Sequence, residues 1–201
     1  MYKSAQTKSP IHPLLSSRWS PRAFDVTRAV SNETIISLVE AARWAPSSYG
    51  GEPWRFIVCN KANSDMSWDK AFACLVEFNQ KWAANAPLLI MVCAETAFAY
   101  NGKQNPHAFY DSGAAALSLV LEAENQALRA HQMSGFDPQA ARKAFSVPDG
   151  FECVSVIAVG YQAEAKTLPD DMKDGETAAR TRKPLGDCFF NGAWGKAVDA
   201  D

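Results

Sequence analysis

The chain has 201 residues, with 20 Lys and Arg against 22 Asp and Glu and a hydrophobic fraction of 47%. A net charge of -2 leaves no global field to draw in nucleic acid or an acidic membrane. No apolar run approaches the ~20 residues of a membrane span, and the length suits one domain with a sizeable core.

The opening residues Met1-Tyr2-Lys3-Ser4-Ala5-Gln6 lack an apolar signal core. Of the five cysteines, Cys59, Cys93 and Cys153 lie in apolar runs and no two form a Cys-x-x-Cys pair. The expectation is a cytoplasmic protein with buried, reduced thiols. Up to about residue 16 the sequence reads as an arm with a short helix limited by Pro10 and Pro13. A cationic cluster, Arg18-Trp19-Ser20-Pro21-Arg22-Ala23-Phe24, follows. Ser31 then reads as an N-cap, and Ile35, Ile36, Val39 and Ala42 give one apolar helical face that ends at Pro46.

Two prolines, two glycines and two serines make 45–54 a loop, leading to a buried strand over 55–59. Residues 66–84 predict one or two helices, and the continuous apolar run 88–94 predicts a central strand. The segment 98–107 is polar and holds Gly and Pro, a candidate wall or lid over a site. Residues 111–132 read as the longest helix. Its first half, Gly113 to Leu121, is apolar nearly all round and is expected to be buried on all sides, with a subunit interface as the economical cover. Met133 to Phe136 reads as a turn, and Asp137-Pro138 as the cap and first turn of a short helix to Ser146. A second apolar strand is expected over 153–160, then a polar surface excursion over 162–179. A second cationic cluster, Arg180-Thr181-Arg182-Lys183-Pro184-Leu185, precedes a tail carrying Phe189, Phe190 and Trp194. Those aromatics would be costly in water and are expected to lie on something, a second subunit being one candidate.

There is no Gly-x-Gly-x-x-Gly, Walker loop or Gly-x-Ser-x-Gly, and His12, His107 and His131 have no metal-ligand spacing. No metal site is expected. An enzyme with no evident catalytic side chain can borrow its chemistry from a cofactor. On an extended backbone Arg180 aligns with Arg182, and Arg18 with Ser20 and Arg22. If the fold joins the two ends, the clusters form a pocket of guanidinium and hydroxyl donors suited to a phosphate monoester. Taken singly, surface arginines, loop serines and a helical Asn79 are better explained as structure.

Four segments occur in order: Arg18 to Phe24, Ala45 to Phe56, Met133 to Asp137, and Arg180 to Leu185. Together they resemble the nitroreductase family of FMN-dependent oxidoreductases, over nearly the whole chain. The resemblance implies an α+β fold in one domain over 1–201: a central, mainly antiparallel sheet flanked by helices, in an intertwined homodimer with FMN at the interface. It implies that Arg18, Arg180 and Arg182, with Trp19 and Ser20 beside them, hold the FMN phosphate. Arg22 would stand beside the N1/O2 edge of the ring. Pro46, Ser47, Ser48 and Gly50 would come from the other subunit, Asn79 would touch the ring, and Ser134-Gly135 would face N5. Gly50, Glu52 and Ser134 stand where many members have asparagine, glutamine and, in some, glutamate. The activity implied is ping-pong hydride transfer from NADH or NADPH to a small nitroaromatic, quinone or flavin acceptor. A flavin-binding carrier or sensor without turnover is the alternative.

Overall fold

The computed structural model describes residues 3–198. A four-stranded antiparallel sheet, in the order β1-β2-β4-β3, is built from β1 (Trp54–Asn60), β2 (Leu88–Glu95), β3 (Arg129–Met133) and β4 (Phe151–Gly160). Strand β2 is apolar without alternation because helices cover both faces of the sheet. Leu88, Ile90 and Val92 pack under α2 (Asn32–Arg43) and α5 (Ala108–Asn125). Leu89, Met91 and Cys93 face the opposite cluster, with α3 (Ser67–Ala73), α4 (Glu77–Ala83) and α6 (Pro138–Ala144). The remaining helices are α1 (Pro13–Ser17) and α7 (Asp170–Thr177). This is the expected α+β architecture, and no helix among the described residues is long and apolar enough to cross a membrane.

The predicted caps form. Ser31 Oγ accepts the Thr34 N–H at 3.1 Å, and Asp137 Oδ1 accepts those of Gln139 and Ala140. The buried face of α2 is Leu38 and Ala42, whereas Ile36 is exposed. Three expectations change. The helix expected over 111–132 stops at Asn125, because Ala127 adopts φ 59°. The Ala127 and Leu128 N–H groups turn back to the carbonyls of Glu124 and Ala123, closing the end so that β3 can begin at Arg129. Nor is α5 buried all round: Tyr110, Gly113 and Leu117 are exposed, one helical turn apart. The polar excursion 162–179 contains α7, which buries Met172 and Glu176.

Segment 98–107 is a hairpin-like turn, with Ala97 bridged to Gln104 and the Phe98 N–H on the Lys103 carbonyl. In the tail, Phe190 pairs with Ala197 and its ring lies 5.0 Å from that of Trp194, while Phe189 and Trp194 remain exposed.

Candidate functional site

The fold brings the two ends of the chain together. An Arg180 Nη donates to the carbonyls of Lys3 and Ser16, both at 2.8 Å. Lys3 Nζ donates to the Glu176 carbonyl at 2.8 Å and lies over the Trp19 ring. The predicted meeting of the two cationic clusters therefore occurs inside one chain. Arg18, half-buried beneath them, lies within electrostatic reach of Arg180, Arg182 and Glu124. Burial, and then the like charges of Arg180 and Arg182, push the Arg18 pKa down. Burial and Arg182 do the same to Arg180. Like charges gathered in partly desolvated surroundings raise the free energy of the unliganded site, and a bound anion relieves that cost.

Next to this cluster Arg22 leads toward the second group of predicted residues. Its guanidinium lies 5.6 Å from the centre of the Phe78 ring. On the same helix, α4, Asn79 is buried and donates from Nδ2 to the Gly135 carbonyl at 2.9 Å. The Val76 N–H reaches the same carbonyl at 3.1 Å. A Cβ on residue 135 would sit 2.6 Å from Asn79 Nδ2, so only glycine allows this approach. Because the bond uses the amide nitrogen, the side-chain carbonyl oxygen is the acceptor that Asn79 can offer a ligand. Ser134, exposed at the end of β3, accepts the Phe136 N–H at its backbone carbonyl. Trp19 Nε1 and Arg22 Nε are buried with no acceptor. Two orphaned donors among clustered cations, beside a half-open turn, fit a phosphorylated ligand that brings acceptors.

Pro46, Ser47, Ser48 and Gly50 lie elsewhere. The Ser48 N–H donates to Asp111 Oδ2 at 3.0 Å, and Ser47 Oγ accepts the Glu52 N–H. Tyr49 meets Phe98 edge to face. This loop is therefore fixed at the N-terminal end of α5, whereas Arg18 sits by Glu124 near its C-terminal end. At 1.5 Å per residue the two anchor points are roughly 20 Å apart along the helix. A single chain does not bring this loop to the cations.

Several contributors were not singled out from the sequence. Glu176 accepts the N–H groups of Arg22 and Ala23. His131 stacks on Trp82 at 4.5 Å with Nδ1 3.0 Å from the Pro21 carbonyl, and burial pushes its pKa down to about 4. At that value the ring is neutral near pH 7, so Nδ1 carries the proton it donates to Pro21. Asp111 fixes the serine loop, and Glu124 pairs with Arg129 at 3.0 Å under Arg18. An isolated Glu or His carries no pattern in a sequence. The only available signal was that clustered arginines need a counter-charge.

A family model described as the nitroreductase family matches residues 15–161. A solved structure of an oxidoreductase containing FMN superposes with a TM-score of 0.87 at 34% identity, covering 94% of this chain and 95% of that one. An oxygen-insensitive NADPH nitroreductase of Helicobacter acinonychis is 28% identical over 189 residues, or 92% of this chain and 86% of that protein. An uncharacterised 15.4 kDa protein of Mycolicibacterium smegmatis is 33% identical over 124 residues, 62% of this chain and 82% of that one.

Proposed function

This chain belongs to the nitroreductase family, and from that premise we propose that it is an NAD(P)H-dependent oxidoreductase carrying FMN between two copies of itself. When bound, FMN would supply the redox chemistry, a ping-pong hydride transfer from the nicotinamide to a nitroaromatic, quinone or flavin acceptor. The chain's part is binding, orientation and electrostatics. Arg18, Arg180 and Arg182, with Trp19 and Ser20, hold the phosphate. Arg22 would present a fixed cation to the N1/O2 edge of the ring, where charge collects on reduction. Asn79 and the Ser134-Gly135 turn would contact the ring, the turn offering a backbone N–H to N5.

The observation that carries this reading is the convergence of Arg18, Arg180 and Arg182 at the joined chain ends, with Arg22 reaching Phe78 on the helix whose Asn79 bonds Gly135. A second copy is supported by the roughly 20 Å between the Pro46–Gly50 loop and the cations, and by the exposed stripe of Tyr110, Gly113 and Leu117. Pairing two α5 helices head to tail covers the stripe and carries each serine loop to the other copy's cationic end. The tail aromatics Phe189 and Trp194 are also exposed and open to cover by a second copy.

The test is an absorption spectrum of the purified protein before and after anaerobic NADPH, then NADH. Flavin bands that bleach with either donor are expected. Bands that persist with both would make the protein a carrier or sensor, and the absence of bands even after incubation with FMN would overturn the cofactor assignment.

A further inference from the structure

Glu176 belongs to α7, and its side chain is almost completely buried, at 2% exposure. Its Oε1 accepts both the Arg22 and the Ala23 N–H at 3.0 Å, and its Oε2 accepts the Arg22 N–H at 3.0 Å. A buried carboxylate is expensive unless each oxygen is used. Here both oxygens are spent on two consecutive backbone groups of the segment that carries Arg22. The preceding residue of α7 faces the side chain of the same arginine: a Cβ added at Gly175 would lie 3.7 Å from an Arg22 Nη. The end of α7 therefore holds Arg22 by its backbone, with Gly175 leaving room beside its guanidinium. The segment is also held at the Pro21 carbonyl by His131, and at the Ala23 carbonyl by the Ala163 N–H at 2.9 Å.

We infer that Glu176 is a positioning residue for the flavin site: through the Arg22 and Ala23 N–H groups it fixes where the Arg22 guanidinium stands, and so sets how strongly the reduced cofactor is favoured. The inference rests on the proposed placement of Arg22 at the N1/O2 edge. An amide would not serve equally, because it would turn a donor toward one of the N–H groups that the carboxylate satisfies. The effect through Arg22 and the direct effect of the charge have opposite signs. Loosening a cation beside a developing anion disfavours reduction, whereas deleting a nearby anion favours it.

The experiment is an anaerobic redox titration of the FMN-loaded, full-length protein in wild type, Glu176→Gln, Arg22→Ala and the double variant, with thermal midpoints recorded in parallel. Glu176→Gln is expected to lower the reduced-to-oxidised flavin ratio at fixed poise about tenfold, about 30 mV for a two-electron couple. Arg22→Ala is expected to lower it at least as much. The double variant should fall no lower than Arg22→Ala alone, because Glu176 lowers the ratio only through that side chain. A ratio unchanged or raised in Glu176→Gln, or effects that add fully in the double variant, overturns the inference. An unchanged ratio in Arg22→Ala removes its premise instead, and so separates failure of the Arg22 placement from failure of the Glu176 role. Should Glu176→Gln not fold, Glu176→Asp keeps the charge and withdraws it by one methylene. A lowered ratio there supports the positioning role, and an unchanged one contradicts it.

Discussion

The two ends of α5 meet different fates in one chain. At the C-terminal end, Arg18 and Arg180 are drawn together by contacts that span almost the whole sequence, such as Arg180 on the Lys3 and Ser16 carbonyls, and Arg22 reaches from that segment to Phe78 on the helix that carries Asn79. At the N-terminal end, the Pro46–Gly50 loop is tied to Asp111 but faces outward with Tyr49, Tyr110 and Phe109 exposed. The first region is organised by intramolecular folding, and strong like-charge clustering can be held there because the backbone is pinned. The second is precise in its local geometry yet has nothing to act on. The difference teaches that a site can be divided between a preformed cradle and a loop that finds its target only in a second copy, which is the assembly proposed here.

The largest effect should come from breaking the link between the two regions. Leu117→Arg places a charge in the middle of the exposed α5 stripe, where pairing would have to bury it unpaired at a cost of several kcal/mol. Sedimentation should show monomers, and FMN retention should fall more than about a hundredfold. A dimer that persists would remove the stripe from the interface. Next, Arg180→Ala together with Arg182→Ala strips the cradle alone. Charge-assisted bonds worth roughly 1.5–3 kcal/mol each are lost, so FMN binding should weaken about a hundredfold or more while the dimer stays folded. Full flavin occupancy in that double variant would remove both residues from the site.

A pH effect sharpens the comparison on the cradle side. His131 has its pKa held near 4 in the folded chain, against 6.5 as its ordinary value. Above about pH 6.5 both folded and unfolded forms are neutral here and the residue adds no slope. As pH falls from there toward 4 the unfolded chain takes up the proton first, so stability declines, by up to about 3 kcal/mol in total, and levels off below the folded pKa. His131→Phe, which keeps a ring against Trp82, should flatten that part of a urea-midpoint profile between pH 7 and 4. An identical slope in the variant would show that other groups produce it. The smallest effect expected is that of Gly135→Ala. The added methyl meets Asn79 Nδ2 at 2.6 Å and Val76 Cγ2 at 2.9 Å, an overpacking cost of about 1–3 kcal/mol in urea unfolding. A neutral result would mean that α4 gives way at no cost.

What could be read from the sequence follows the same division. Local signals were legible: Ser31 and Asp137 cap because their side chains reach their own helix, and Leu88 to Ala94 is apolar because both sheet faces are covered. The cationic clusters were legible as a pair because arginine chemistry is distinctive. The end of α5 was not, since the left-handed turn that terminates it is taken by Ala127 rather than glycine. That choice is worth roughly 1–2 kcal/mol against the turn and leaves no mark in the sequence. Nor was Glu176 legible. A single buried carboxylate in a polar stretch is distinguished only by the fold that lays α7 across Arg22, and the same holds for His131 under Pro21.

The central claim is that the flavin site is completed only between two copies. Sedimentation velocity of the FMN-loaded protein, recorded at once in the protein band and in the flavin band near ~450 nm, tests it most directly. The account predicts that the flavin absorbance travels entirely with a dimer and appears as free FMN, not as loaded monomer, when dilution dissociates the chains. Flavin that sediments with a monomer would contradict it.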